Sequence, residues 1–168
     1  QEVATQIMTS KPAAVLLGTS GTSSVAIIAA LKKISPLLPI AALSVALAGD
    51  EFKALGASAS GLALSMVFPD PHRAKTLVVR DYQAAMQAIG RSDFSSASLE
   101  GYINTRILAE GLERAGRDVT RAKLRSALLS LNRFDLGGFS VDYAGAAPFV
   151  GSRYVSLGIL GGDGRFLG

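Results

Sequence analysis

The segment Gly18-Thr-Ser-Gly-Thr-Ser-Ser24 has the residue types that could bind a small anionic group. Two glycines and five hydroxyl side chains lie between an apolar run and the start of an expected helix. Backbone N–H groups at such a junction, with hydroxyls beside them, form a site for a carboxylate or a phosphate at the carboxyl end of a strand. A tight strand-to-helix turn with hydroxyl caps accounts for the same residues. The residues alone leave both interpretations open.

The spacing of these glycines argues against nucleotide binding. The segment lacks the Gly-Lys-Ser/Thr of a P-loop, and Gly18 and Gly21 do not fit the complete G-x-G-x-x-G fingerprint. A dinucleotide-dependent α/β enzyme is therefore disfavoured.

Side chains for catalysis or for metal binding are scarce. The chain has no cysteine and one histidine, His72, so a thiolate site and a histidine pair are excluded. No Gly-x-Ser-x-Gly elbow is present for a serine nucleophile. Asp50-Glu51 fall at an expected helix start, where they serve as capping charges. We expect no enzymatic activity, no metal, no cofactor, and a surface position for His72.

Three short apolar runs predict the strands that position the Gly18–Ser24 segment. Ala13–Leu17, Ile40–Leu47 and Leu62–Val67 lack two-residue alternation, which is typical of parallel strands buried on both faces. Thr22–Lys33, between the first two, begins with hydroxyls and ends in two lysines, as expected for a buried helix. Strand, helix and strand form a βαβ unit, so the fold class is α/β.

Helices follow the Pro69-Asp-Pro71 crossover. Thr76–Ile89 and Ala97–Ala115 are predicted helices, and a third begins after a Thr120 cap and runs to about Asn132. The second carries an apolar stripe of Leu99, Ile103, Ile107, Leu108 and Leu112.

The last segment is rich in glycine and aromatic residues. Phe139–Tyr143 and Arg153–Leu160 are candidate strands, and Asp163-Gly164 is a candidate tight turn. An antiparallel edge pair at the C-terminus is the simplest arrangement.

Composition excludes several classes of protein. Hydrophobic residues make up 49% and charged residues 18%, so the chain is too apolar for disorder. The longest apolar stretch, Leu37–Gly49, contains Pro39 and is too short to cross a bilayer. The net charge of +4 comes from the middle segment, where arginines alternate with acids along helices, so nucleic-acid binding is disfavoured.

Three segments carry a family resemblance: Asp93–Arg106, Asp135–Tyr143 and Gly151–Val155. In this order and spacing they resemble the C-terminal half of periplasmic amino-acid-binding proteins of the leucine/isoleucine/valine-binding kind, which have the type I periplasmic fold. The resemblance implies a βαβ core of lobe 2 in 1–68 and helices that pack on lobe 1 in 69–133. It implies a hinge return at Asp135–Phe139 and the last strands of lobe 2 in the remainder of 134–168.

The resemblance also implies a ligand site. The loop with Thr19, Ser20, Gly21 and Thr22 matches one that faces the interlobe cleft, and Ser20 matches a ligand-contacting position. Ser44 and Val45 match a second cleft-facing segment, where some relatives present a carboxylate to the ammonium group of the ligand. This chain has no acid there, so a carboxylate, an amide or an aromatic acid fits at least as well as an α-amino acid. A buried hydroxyl bonded to backbone remains the alternative for Ser44.

The function implied is a solute receptor for ABC-type import of amino acids or related small carboxylates and amides, with hinge closure around the ligand. Its partner would be an ABC permease of the inner membrane. The location would be periplasmic, or extracellular with a lipid anchor, although Gln1-Glu2-Val3 shows no signal peptide. The alternative is a ligand-sensing domain of a signalling receptor or regulator.

The N-terminal half of the family has no counterpart in the chain. If helices 76–132 normally cover a lobe 1 sheet, their apolar stripe needs another partner. We expect a homodimer or a domain-swapped assembly.

Overall fold

The computed structural model describes residues 2–44, 47, 49–162 and 166–167, apart from the side chains of 49 and 50. The predicted Asp163-Gly164 turn and the candidate site residue Val45 lie outside these residues. In chain order the described helices are α1 (Glu2–Thr9), α2 (Thr22–Ile34), α3 (Gly49–Leu55), α4 (Leu77–Ala88), α5 (Ser96–Ala115) and α6 (Arg121–Leu129). The strands are β1 (Val15–Leu17), β2 (Ile40–Leu43), β3 (Leu62–Met66), β4 (Phe134–Asp135), β5 (Ser140–Val141), β6 (Ser156–Leu160) and β7 (Phe166–Leu167).

The chain divides into two compact units. The first comprises the chain up to Val67 and again from Val155, and the second is Phe68–Tyr154. The assignment of these parts to lobes, with boundaries at 68 and 134, stays a prediction. None of the helices in the described ranges is both long and apolar enough to cross a membrane.

The first unit is built on a five-stranded sheet of order β1-β2-β3-β6-β7. The first three strands are parallel, as predicted, and β6 and β7 join them antiparallel. The strand predicted over 40–47 ends at Leu43, because Ser44 enters a turn in which its carbonyl accepts from the N–H of Leu47 at 3.4 Å. The fold is therefore α/β with a mixed sheet.

Helices α1, α2 and α3 cover one face of this sheet. Val15, Ile40 and Leu62 pack in one buried cluster with Ile28 and Leu31 of α2. The strands were predicted to be buried on both faces, and this prediction is wrong for the opposite face. There Leu16 is 78% exposed and Leu157 is 82% exposed, because no described element packs against them.

The second unit packs α4, α5 and the β4–β5 hairpin around its own core. Tyr82 of α4, Ile103 of α5 and Phe139 beside the hairpin are buried together. The ring of Phe139 stacks on Phe68 at a centroid distance of 5.5 Å and contacts Tyr154 at 5.8 Å. The first and last residues of the unit therefore meet at one aromatic side chain.

The predicted cap at Thr120 is confirmed, and α5 begins one residue before the predicted Ala97, after a cap that was not predicted. The Thr120 hydroxyl accepts from the N–H of Lys123 at 3.2 Å, and Ser95 and Ser98 form a reciprocal capping box. Part of the α5 stripe, Leu99, Ile103 and Ile107, is buried, whereas Leu108 and Leu112 are 45% and 41% exposed.

The C-terminal segment forms antiparallel strand pairs, as predicted, but with other partners than the two candidate strands. The two candidate strands do not pair with each other: β5 pairs with β4, and β6 pairs with β3 and β7. Asp135–Phe139, expected as a hinge return, forms the hairpin turn between β4 and β5. The Asp135 carboxylate accepts from the N–H groups of Gly137 and Gly138 at 2.9 and 3.0 Å, and both glycines have positive φ. The chain returns to the first unit later, at Tyr154–Val155.

Candidate functional site

Two candidate segments meet at one edge of the sheet in the first unit. Strands β1 and β2 are parallel neighbours, with Leu17 paired to Ala42. The loop that begins at Gly18 and the turn that begins at Ser44 therefore leave the sheet side by side. Ligands of open α/β sheets bind at the carboxyl ends of the strands, which is this edge.

A hydrogen bond between hydroxyl groups holds the loop to α2. The Thr19 Oγ1 and Ser24 Oγ atoms are 2.9 Å apart. Ser24 is fully buried in the first turn of the helix, whereas Thr19 is exposed. Because a buried hydroxyl needs a partner, this contact fixes the path of the loop between its ends.

Gly21 allows the chain to enter α2 with open N–H groups. Its φ of 61° and ψ of −142° are accessible essentially to glycine alone. No side chain caps the first turn of α2, whose N–H groups have no acceptor within a helix. Together with the exposed Ser20 and Thr22, the loop offers hydrogen-bond donors to an anionic group.

The loop and Ser44 carry no charged side chain. Among the described residues, the groups with displaced pKa values lie in the second unit. A hydrogen bond from Arg91 lowers the pKa of Asp93 to about 2, and this contact raises the pKa of Arg91. Backbone N–H donors, first that of Gly138, lower the pKa of Asp135. Hydrogen bonding to a ligand at the sheet edge therefore relies on backbone N–H dipoles and hydroxyl groups.

The structure brings five of the six candidate residues to this edge. Thr19, Ser20 and Thr22 are exposed, and Gly21 and Ser44 are half-buried. Their binding of a ligand stays a prediction, as does that of Val45. Ser24 was not singled out from the sequence. The signal that could identify Ser24 is a hydroxyl residue in the first turn of the helix, at a position that faces the core.

Other polar groups have structural roles. His72 is exposed, as predicted, and its backbone N–H donates to the Asp70 carboxylate at 2.9 Å. The Tyr102 ring packs against Tyr82, and its hydroxyl accepts from Arg106. In the part of the chain that the structure describes, no cluster of three histidine or acidic side chains could hold a metal ion.

The second unit contains an apolar groove of about 510 Å³. It lies along α5 and α6, and its lining includes Leu108, Leu124, Leu128, Tyr143 and Phe149. Leu108, from the exposed part of the predicted α5 stripe, thus lines this groove.

Comparisons with known proteins agree with this fold. The sequence model of the periplasmic binding protein family matches residues 1–149. A search of curated proteins returns no match.

Solved structures match nearly the whole chain. A substrate-binding periplasmic protein from Ralstonia solanacearum is 28% identical, with a TM-score of 0.86 over 99% of this chain and 48% of its own. An extracellular ligand-binding receptor from Verminephrobacter eiseniae is 31% identical, with a TM-score of 0.84 over the same shares. A branched chain amino acid ABC transporter protein from Thermus thermophilus with bound valine is 15% identical, with a TM-score of 0.76 over 99% and 47%, and shares the fold.

The architecture is half of a type I periplasmic binding protein. The chain belongs to the periplasmic binding protein family, and it spans about half the length of the solved relatives it matches.

Proposed function

We propose that the chain is part of a solute receptor for ABC-type import, and that its first unit contributes the loop 18–22 and Ser44 to the ligand site. The observation that carries this proposal is the neutral, donor-rich loop at the carboxyl end of β1. Its open N–H groups and hydroxyls match a carboxylate or an amide oxygen. The family membership supports solute binding as the purpose of this loop.

The ligand class proposed is an amino acid or a related small carboxylate or amide. Ser44 is a half-buried hydroxyl, and no described residue of the loop supplies a carboxylate for an ammonium group. In the whole receptor the ligand would lie between two lobes that close about a hinge. No reaction is proposed for the protein.

The proposed partner is an ABC permease, and the proposed location is the periplasm or the outer face of the membrane. A ligand-sensing domain would bind the same solutes and would differ in its partner. Permease-dependent uptake of the bound solute distinguishes the two.

We also propose a homodimer or a swapped assembly of this chain. The groove along α5 and α6 supports it, because an apolar surface that includes exposed Leu108 and Phe149 is unfavourable in water.

Thermal unfolding in the presence of solutes tests the ligand site. The panel is valine, leucine, their amides and benzoate, each at high concentration because one half of a receptor makes only part of the polar contacts. A ligand that binds only the folded state raises the melting temperature. We expect a selective rise that Ser20→Ala abolishes and that Ser126→Ala, an exposed substitution on α6, leaves intact. A rise that survives Ser20→Ala together with Thr22→Ala, or no rise with any solute, would refute the site.

A further inference from the structure

The second unit contains a pocket of about 460 Å³ beside the β4–β5 hairpin. Its lining comes from Arg133, which directly precedes β4, from β5, and from the segment 142–153 that follows the hairpin. All of these residues belong to the second unit. The pocket is therefore separate from the proposed ligand site, whose loop lies in the first unit.

Hydrogen bonds close one wall of the pocket into a compact loop. The backbone N–H of Asp142 donates to the Gly151 carbonyl at 2.7 Å, and that of Tyr143 donates to the Leu131 carbonyl at 2.9 Å. The Tyr143 ring packs on Gly151, where an added Cβ atom would lie 2.5 Å from the ring. Surface loops whose ends meet in this way and pack on their own side chains are frequently functional. The wall is thus held in place without a ligand.

Two arginines line the pocket without an anionic partner. Arg133 and Arg153 are exposed, and neither forms an ion pair or a side-chain hydrogen bond in the part of the chain that the structure describes. The two acids of 130–160 accept from backbone instead. Asp135 binds the N–H groups of its hairpin turn, and Asp142, which also lines the pocket, accepts from the N–H of Ala144 at 2.8 Å. One carboxylate therefore faces two unpaired guanidinium groups.

The loop adds an apolar surface beside these charges. Residues 144–150 have no polar or charged side chain, and Ala146, Pro148 and Val150 line the pocket. A guanidinium group recognises a carboxylate or a phosphate because its planar fork donates two parallel hydrogen bonds. The pocket thus matches a molecule that has an oxyanion at one end and an apolar part at the other.

The volume of the pocket fits such a molecule. Pockets that bind small molecules have volumes of about 300–1,000 Å³. An inorganic anion would fill only a small part of this space and would leave the apolar wall without contacts.

We propose that this pocket binds a small organic anion, whose carboxylate or phosphate group contacts Arg133 and Arg153 and whose apolar part lies against Pro148 and Val150. This second site does not rest on the proposed function of the loop 18–22.

Nuclear magnetic resonance of the ¹⁵N-labelled 168-residue chain tests the proposal. The probes are phenyl phosphate and phthalate, which combine an oxyanion with a ring, inorganic phosphate, which lacks the ring, and benzyl alcohol, which lacks the charge. We expect at least one of the two aromatic anions to shift the backbone N–H signals of Ala144, Val150 and Gly151 in a saturable way. The preference between them identifies the oxyanion as a phosphate or a carboxylate.

Substitutions of the two arginines locate the site. Arg133→Gln and Arg153→Gln should each weaken binding of the aromatic anion by at least about tenfold, because each removes hydrogen bonds to a charged group. Arg117→Gln is the matched control, since Arg117 is exposed in the connection between α5 and α6 and removes the same charge. It should leave the affinity unchanged, as should Ser20→Ala in the other unit. Urea midpoints check that each variant is folded, and Arg153→Lys keeps the charge if Arg153→Gln is unstable.

Several results would overturn the proposal. These are the absence of saturable shifts in the loop with either aromatic anion, an equal loss of affinity in Arg117→Gln, and equal binding of benzyl alcohol or of inorganic phosphate. A lipid headgroup has the same chemistry as the proposed ligand, so the chain is also sedimented with phosphatidylglycerol vesicles. Vesicle binding that Arg133→Gln abolishes, without binding of the soluble anions, would assign the pocket to a membrane surface instead.

Discussion

Thr19 and Ser24 share a hydrogen bond of 2.9 Å that joins an exposed loop residue to a fully buried helix residue. The pair links the loop proposed to bind ligand to the core of the first unit. Its two members differ in burial, so their substitutions have different consequences.

We expect Thr19→Val to destabilise the fold by about 1–3 kcal/mol, because it leaves the buried Ser24 hydroxyl without its partner. The double variant Thr19→Val with Ser24→Ala should recover most of this loss, since it removes both polar groups. Urea unfolding of the wild type, the two single variants and the double variant gives the coupling free energy. Additive effects of the two substitutions would contradict a direct bond.

Gly21→Ala should destabilise the protein by about 1–3 kcal/mol, since alanine is strained at its backbone angles. Steric contact does not contribute, because a Cβ atom at this position would meet no atom within 4 Å. Gly18→Ala is the control in the same loop, since Gly18 has equal space and no positive φ. Thermal unfolding should separate the two variants, and equal melting temperatures would refute the backbone explanation.

Two glycines of α5 should respond in opposite directions to alanine. A Cβ atom on Gly111 would lie 2.6 Å from the Leu128 Cδ2 atom of α6, so Gly111→Ala should cost about 1–3 kcal/mol through overpacking. A Cβ atom on Gly101 would meet no atom within 4 Å, so Gly101→Ala should stabilise the helix by about 0.5–1 kcal/mol. Denaturant midpoints check both signs, and a stabilising Gly111→Ala would show that α6 can move away without loss.

Asp135 should make the stability of the second unit depend on pH. Its pKa lies below the ordinary value of 3.8, because the N–H groups of Gly138 and Gly137 donate to the carboxylate. A carboxyl group with a lowered folded-state pKa stabilises the fold above its unfolded pKa, and that stability is lost as the pH falls through the folded value. Asp135→Asn should therefore reduce the drop in urea midpoint between pH 7 and acidic pH.

Asp118→Asn is the control for this pH dependence, because the Asp118 carboxylate accepts no hydrogen bond among the described residues. It should leave the drop in midpoint unchanged. The same reduction in both variants would show that the turn at Asp135 is not the cause.

The proposed dimer predicts a mass above that of the monomer in light scattering. Leu108→Glu places a charge in the groove along α5 and α6 and should give the monomer, whereas Leu37→Glu, on an exposed residue of the first unit, should not. A monomeric wild type at the concentrations used for structural work would exclude the dimer.

The elements that the sequence predicted best were those with strong local signals. Thr120 marked the start of a helix because caps act within one turn. The apolar runs at 15–17, 40–43 and 62–66 were found because parallel strands are continuously apolar. Helix α1 was missed, although Ala4, Ile7 and Met8 have helical spacing and pack on the core of the first unit.

What could not be predicted depends on distant partners. Antiparallel pairing near the C-terminus was predictable, but the partners were not, because strand pairing is decided by tertiary contacts: β6 pairs with β3, far away in the sequence. The exposure of one sheet face could not be predicted either, because a run such as Ile40–Leu43 has the same sequence whether one or both faces of its strand are covered. At the candidate site, the loop was predictable from its residue types, whereas the role of Ser24 required its burial.

The contact of Phe139 with both Phe68 and Tyr154 bears on the order in which the protein folds. The second unit is a continuous stretch inserted between β3 and β6, whose pairing joins Ala63 to Ile159. Closing so long a loop from an unfolded chain carries an entropic penalty that grows with its length. If the inserted unit forms first, its own aromatic core brings its first and last residues together. Strands β3 and β6 then pair with little further loss of entropy. Substituting Phe139 would then slow the closure of a sheet to which it does not belong.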